Sequence, residues 1–382
     1  MIVVESPEHQ QLRAAVHKVI EREAPLPRSV ADAESALGYD PALWRRLATE
    51  LGIAGLSIPE RFGGSGVGAL EESIVAEELG AALARTPYLA TIALAANLLL
   101  ASGDDAACEK YLPALASAQR TATVVVRAAD GRVGADAVPV RAVRDGAGWR
   151  LAGSARFVLD GHSADLLLVA ARTADGVALF AVDGTAAGLT RVQMRTLDQL
   201  RPMAQVTFDD VAAEAFGDAA GAWAAVERAL DLATVAVAAE QTACADLVLR
   251  QTVEYLGVRV QFARTIGSFQ AVKHRCADTV VGNDRARSAV THAVWAASDE
   301  PARLPAAAAM AALVCGPALL HAAQENVQLH GGIGFTWEHP AHRYVRRATA
   351  DASLLADRRY YEDRLLGGLG IDVARARSND HN

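Results

Sequence analysis

The sequence predicts an α+β multidomain chain: a helical unit, an antiparallel β-domain and a helical bundle in that order. Two changes in hydrophobic period carry the prediction. Apolar residues recur at helical spacing to about Arg120, in short β-type runs from Thr121 to about Phe216, and at helical spacing again afterwards. The implied units are 1–120, 121–216 and 217–382. A composition of 52% hydrophobic and 21% charged residues excludes a disordered or collagen-like chain, and 382 residues suffice for several compact units.

In the first unit, LRAAVHKVI, LWRRLATELGI and the run from Glu71 to Leu83 have helical spacing. Ile58 to Gly68, IPERFGGSGVG, interrupts them as a glycine-rich tight connection. The β-type runs are TATVVVRA, PVRAVRDG, WRLAGSARFVLDG, LLLVAART, VALFAVDG and AQVTFDDV, separated by Gly and Asp turns. Three long helices follow, over Ala222–Tyr255, Phe269–Ala297 and Pro305–Leu329, with a kink expected at Pro317. The polar end ARARSNDHN reads as a loose tail.

The net charge is −8, from 37 basic and 45 acidic residues, and only Lys18, Lys110 and Lys273 are lysines. Without a cluster of cations the chain is not expected to bind nucleic acid. Cys108, Cys244, Cys276 and Cys315 show neither disulfide-framework nor metal-ligand spacing, which suits a reducing compartment, and no metal site is expected. The start MIVVESPEHQ lacks a basic and apolar leader pattern, and the apolar run Leu304–Leu320 is Ala-rich and carries Pro305 and Pro317. No membrane span is expected, and the expected location is cytoplasmic.

Two constellations carry chemistry. RVQFARTIGSFQAVKHRCAD, Arg259 to Asp278, opens a helix after a sharp connection, and QLHGGIGFTWEHPAHRYVRR, Gln328 to Arg347, groups Gly331, Gly332 and Gly334 where backbone can approach a ligand. Either alone is compatible with an interhelix turn. His330, His339 and His342 read as packing or surface residues rather than ligands, and Glu338 as structural.

Together, in this order, these segments resemble the acyl-CoA dehydrogenase family, and the resemblance extends to GLSIPERFGGSG and the FVLDG strand end. It implies an N-terminal helical domain, a central β-domain and a C-terminal four-helix bundle, assembled as a tetramer. It further implies FAD as cofactor, an acyl-CoA substrate and an electron-transfer flavoprotein or similar acceptor. By the family pattern Arg259, Phe262, Phe269, Gln270, Gln328, Gly331 and Gly332 would bind the ADP half of a neighbouring subunit's FAD. A guanidinium and exposed N–H groups suit a pyrophosphate. Ala263 and Thr265 stand where the family usually has Gly and Pro.

The flavin-ring side departs further. Ala129 to Asp136, ADGRVGAD, stands where the family has T-E-P-x-x-G-S-D, so both hydroxyls are methyls, at Ala129 and Ala135. The family's Trp-x-Thr becomes Phe157-Val158-Leu159, which keeps a stacking ring in Phe157 and loses another hydroxyl. Each lost hydrogen bond weakens binding by roughly 0.5–1.5 kcal/mol.

The implied reaction needs a carboxylate in a dry pocket to take the α-proton. Leu355, 24 residues after Gly331, and Ala233, 26 before Arg259, occupy the family's two usual positions for it. Glu240 remains as the candidate catalytic base, on an otherwise apolar stretch between Asp231 and Asp246. A salt bridge to an arginine of another helix or subunit is its alternative role. Two functions therefore stand: an acyl-CoA dehydrogenase making the 2,3-enoyl-CoA, alone or as a subunit, or a silent subunit that lends the ADP half-site and scaffold to a homologous active chain. No sequence feature favours a flavin oxidase or monooxygenase.

Overall fold

The computed structural model of the chain describes residues 5–146 and 148–371. The polar end at 374–382 lies outside them. Six α-helices form the first part: α1 (Pro7–Glu23), α2 (Leu26–Ala33), α3 (Pro41–Glu50), α4 (Ala69–Ala81), α5 (Asn97–Ala101) and α6 (Asp105–Ala116). Local chemistry starts several of them. The Ser6 hydroxyl accepts from the His9 N–H while His9 Nδ1 accepts from the Ser6 N–H, and Asp40 caps α3. A π-helical turn over Leu89–Ala96, buried throughout, leads into α5. In the connection at 58–68, Gly64 has no room for a side chain, because a Cβ there would lie 2.0 Å from the Ile58 carbonyl oxygen.

Seven strands follow: β1 (Ala122–Val125), β2 (Val140–Asp145), β3 (Gly148–Leu159), β4 (Leu166–Thr173), β5 (Gly176–Asp183), β6 (Leu189–Met194) and β7 (Met203–Phe216). The sequence predicts six. The extra strand, β6, pairs only with β7, and its six residues include three polar ones and none that is buried, so its apolar signal is weak. The pairings β4–β5–β7–β3–β2–β4 close into a ring. The sheet is mixed rather than purely antiparallel, since β1 and β2 both run parallel to β4. The long connection at 126–139 returns the chain to its starting side, which lets two successive strands point the same way.

The last part is α7 (Ala222–Val258), α8 (Gln270–Ser298), α9 (Leu304–His330), α10 (Ala341–Asp351) and α11 (Arg358–Gly368). α9 runs through Pro317 as one helix, supported by its packing along α7 and α8. Two helical stretches, Ala222–Val258 and Pro301–Phe335, are long and apolar enough to cross a bilayer by length and composition alone. α7 packs against α9 and the β-domain and is 72% buried over its most apolar stretch, and the second helix, 44% buried there, packs along α7 and α8. The main core joins Val124 and Leu168 of the sheet, the Leu89–Ala96 turn, and Ala229 to Ala239 of α7. That core determines what surrounds the expected site.

Candidate functional site

The ADP-side residues lie where three helix ends meet. α7 stops at Arg259, whose backbone is extended, and a two-residue ladder, Val260–Gln261 with Arg264–Thr265, turns the chain into α8. Phe262 and Ala263 form the turn with φ of 52° and 61°, both left-handed. This pair explains why glycine suits position 263, for a Cβ in that region is strained. Phe262 is 88% exposed and meets Phe269 edge to face at 6.2 Å, while Arg264 lies over the Phe269 ring at 3.8 Å. Gln270 is the first residue of α8, where free N–H groups and the helix dipole favour an anion.

The second constellation lies alongside. Tyr255 near the end of α7 stacks on His330 at the end of α9, with centroids 4.4 Å apart, and His330 Nδ1 lies 2.8 Å from the Asn326 carbonyl oxygen. This stack brings Arg259 and the Gln328–Gly332 segment to the same end of the bundle. Gly331 ends α9 with φ of 66°, and a Cβ built at Gly331 or Gly332 would touch nothing within 4 Å. Arg259, Gln270, Gln328, Gly331 and Gly332 are all exposed, next to Phe262, Phe335 (85% exposed) and Trp337 (65%). Open backbone, an exposed guanidinium and uncovered aromatics fit the ADP half of FAD shared with a second chain.

The ring side is different. Phe157 sits at a bulge of β3 with φ of 59°, where pairing to β7 shifts between Ala155 and Val158. Arg127, at the end of the TATVVVRA run, lies 5.2 Å from the Phe157 ring centroid. Its Nη1 donates to the Ser353 and Leu354 carbonyls at 2.9 and 2.7 Å, and its Nε and Nη2 donate to Gly131. Burial pulls its pKa below the ordinary arginine value. Arg127 carries no motif in the sequence; a cation just after the buried apolar run 122–126 is the local signal it leaves. A cleft of about 460 Å3 beside it is lined by Phe157, Met194, Thr196, Met203 and Asp357. The cleft has room for a flavin ring and is lined by Arg195, Thr349 and Ser353 as well as Thr196, whereas the three hydroxyls expected at positions 129, 135 and 159 are absent.

The two usual base positions are apolar in the fold as well. Ala233 is fully buried and Leu355 is 6% exposed, both within the core that includes Leu89, Ala93 and Val237. Glu240 is buried too. Its carboxylate accepts from Arg201 Nη2, with Arg347 Nη1 at 3.9 Å. Arg201 also pairs with Asp351 at 3.0 Å, and Arg347 donates to Asp198. Burial pushes the Asp351 carboxyl up, whereas at Asp198 burial is opposed by Arg347, Arg201 and the Leu200 N–H, which together hold that group below its ordinary value. Glu240 thus occupies the salt-bridge alternative raised by the sequence. The void it lines with Tyr88, Leu159 and Arg201 measures about 20 Å3, enough for one water and too small for a thioester.

The chain is similar to known proteins over most of its length. Residues 6–119 match the family model described as "Acyl-CoA dehydrogenase, N-terminal domain", and residues 221–354 match "Acyl-CoA dehydrogenase, C-terminal domain". The acyl-CoA dehydrogenase IpdE2 of Mycolicibacterium smegmatis is 36% identical over 350 residues, covering 92% of this chain and 95% of that protein. Among solved structures, the Tcur3481–Tcur3483 steroid ACAD superposes with a TM-score of 0.85 at 33% identity, over 95% of this chain and 98% of that one. The ChsE4–ChsE5 complex of Mycobacterium tuberculosis gives a TM-score of 0.87 at 29% identity, over 97% and 99%.

Proposed function

Because this chain belongs to the acyl-CoA dehydrogenase family of FAD-dependent oxidoreductases, we propose that it works as one subunit of a heteromeric dehydrogenase and lends its ADP-side surface to the FAD of a homologous partner. When bound, FAD accepts the β-hydrogen as hydride while the α-proton of the thioester leaves to a base. This chain's part is to bind and orient. Arg259 and Gln270 present donors to the pyrophosphate end, the open backbone at Gly331 and Gly332 admits it, and Phe262 and Phe335 meet the partner.

The observation that carries the proposal is the filling of the chain's own base positions. Ala233 and Leu355 sit in apolar core and Glu240 is tied to Arg201, so the proton acceptor comes from the partner. The steroid ACAD and the two-chain ChsE4–ChsE5 complex among the structural relatives favour a steroid-type acyl group and pairing with a homologous chain, and we infer a tetramer and an electron-transfer flavoprotein acceptor from the family resemblance. Four free cysteines support a reducing, cytoplasmic setting.

FAD stoichiometry tests the proposal. The chain purified alone should hold little FAD, and co-expression with a homologous chain should yield about one FAD per pair. Arg259→Ala should lower the flavin content of that assembly without unfolding it. Full flavin occupancy with robust turnover in the chain alone would reject the proposal and favour catalysis in the cleft beside Phe157.

A further inference from the structure

Inside the C-terminal bundle lies a cavity of about 190 Å3, larger than the ~150 Å3 apolar cavity known to admit benzene in another protein. Thr234, Val237 and Gln241 of α7 form one wall, at spacings of three and four residues that place them on one helical face. Gly316 and Leu320 of α9 and Tyr361 of α11 form the others. Ala233 and Glu240 lie on an adjoining face of α7, turned roughly 80° and 100° from Gln241, with Val237 between the two faces. The cavity adjoins the Glu240 cluster through Asp351, which lines it and pairs with Arg201, and it does not reach the ADP-side residues.

Its walls are mostly apolar, but one end is polar and unsatisfied. Gln241 is 4% exposed, its Nε2 lies 3.5 Å from Asp351 Oδ2, and its Oε1 has no partner. A buried amide oxygen without a donor is costly. Gly316 faces it, and a Cβ there would stand 3.7 Å from that oxygen, so the absent side chain keeps the space in front of Gln241 open. Pro317, which has no backbone N–H, also lines the cavity.

Mostly apolar walls with the unpartnered Gln241 oxygen at one end, beside Asp351 and Arg358, select a ligand that is compact, uncharged and equipped with one hydrogen-bond donor. We propose that this cavity binds a small alicyclic alcohol, its ring held by Val237, Leu320 and Tyr361 and its hydroxyl donating to Gln241 Oε1. The site is independent of the subunit role proposed above, because none of its residues belongs to the ADP-side surface.

Cyclohexanol and cyclohexanone, similar in size and polarity but differing in the donor, test it on the purified full chain by calorimetry and thermal unfolding. Cyclohexanol should bind saturably, raise the melting temperature, and bind roughly tenfold more tightly than cyclohexanone. Gly316→Leu, a helix-favouring change that fills the cavity, should abolish both effects while circular dichroism stays unchanged. Gln241→Leu should erase the preference for the alcohol. No saturable binding to the wild-type chain, equal affinity for the two probes, or binding that survives Gly316→Leu would each overturn the proposal. If Gln241→Leu does not fold, the Gly316→Leu comparison decides alone.

Discussion

Gly80 on α4 lies directly against Glu240 on α7: a Cβ at position 80 would stand 2.5 Å from the Glu240 Cβ and 2.7 Å from its Cα. The Gly80 carbonyl also accepts from the Cys244 thiol, one turn further along α7, at 3.0 Å. The missing side chain on α4 is what allows Glu240 to lie under that helix and reach Arg201.

Gly80→Ala should therefore destabilise the chain although alanine is the better helix former. Overpacking of this kind costs about 1–3 kcal/mol, which a shift of the urea midpoint to lower concentration would register. An unchanged or higher midpoint would show that the two helices can separate at little cost.

Glu240→Gln separates an ion-pair role from a catalytic one. Removing one partner of a buried pair costs about 3–5 kcal/mol, so equilibrium unfolding should show a large loss while dehydrogenation by the assembled complex changes less than tenfold. A positioned general base would behave in the opposite way, with a 10²- to 10⁴-fold fall in rate and stability largely retained.

Ala263→Gly relieves a left-handed alanine in the turn between α7 and α8. The expected gain is about 1 kcal/mol, seen as a higher melting temperature with no loss of FAD from the assembly. A lower melting temperature would mean that the flexibility gained by the unfolded glycine chain outweighs the strain removed.

Asp231 gives the chain a specific pH dependence. Burial raises its pKa to about 6, against the opposing pull of Arg364, while the unfolded value is 3.8. Between these values the folded chain keeps a proton that the unfolded chain has released, so the stability contributed by this residue falls as pH rises and its cost is complete above about 6. A shift of this size corresponds to at most about 3 kcal/mol. Unfolding free energies between pH 4 and 7 should decline more steeply in the wild-type chain than in Asp231→Asn, and parallel profiles would reject the assignment.

The sequence by itself determined the order of helices, strands and helices, the two motifs around Arg259 and Gly331, and the loss of both usual base residues. Hydrophobic period and motif spacing are properties of neighbouring residues, and they survive in any single chain. β6 escaped because a half-exposed edge strand has little apolar alternation, and the parallel placing of β1 and β2 along β4 escaped because it depends on where a long connection returns the chain. Only the tertiary structure decided what Glu240 does, since its partners Arg201 and Arg347 come from two distant segments and the space beneath Gly80 from a third. The same holds for Arg127, buried by carbonyls more than two hundred residues away, and for the cavity at Gln241, which exists only where four helices fail to fill the volume between them. Charge pairing and empty volume arise from contacts between remote parts of the chain, and no local pattern encodes them.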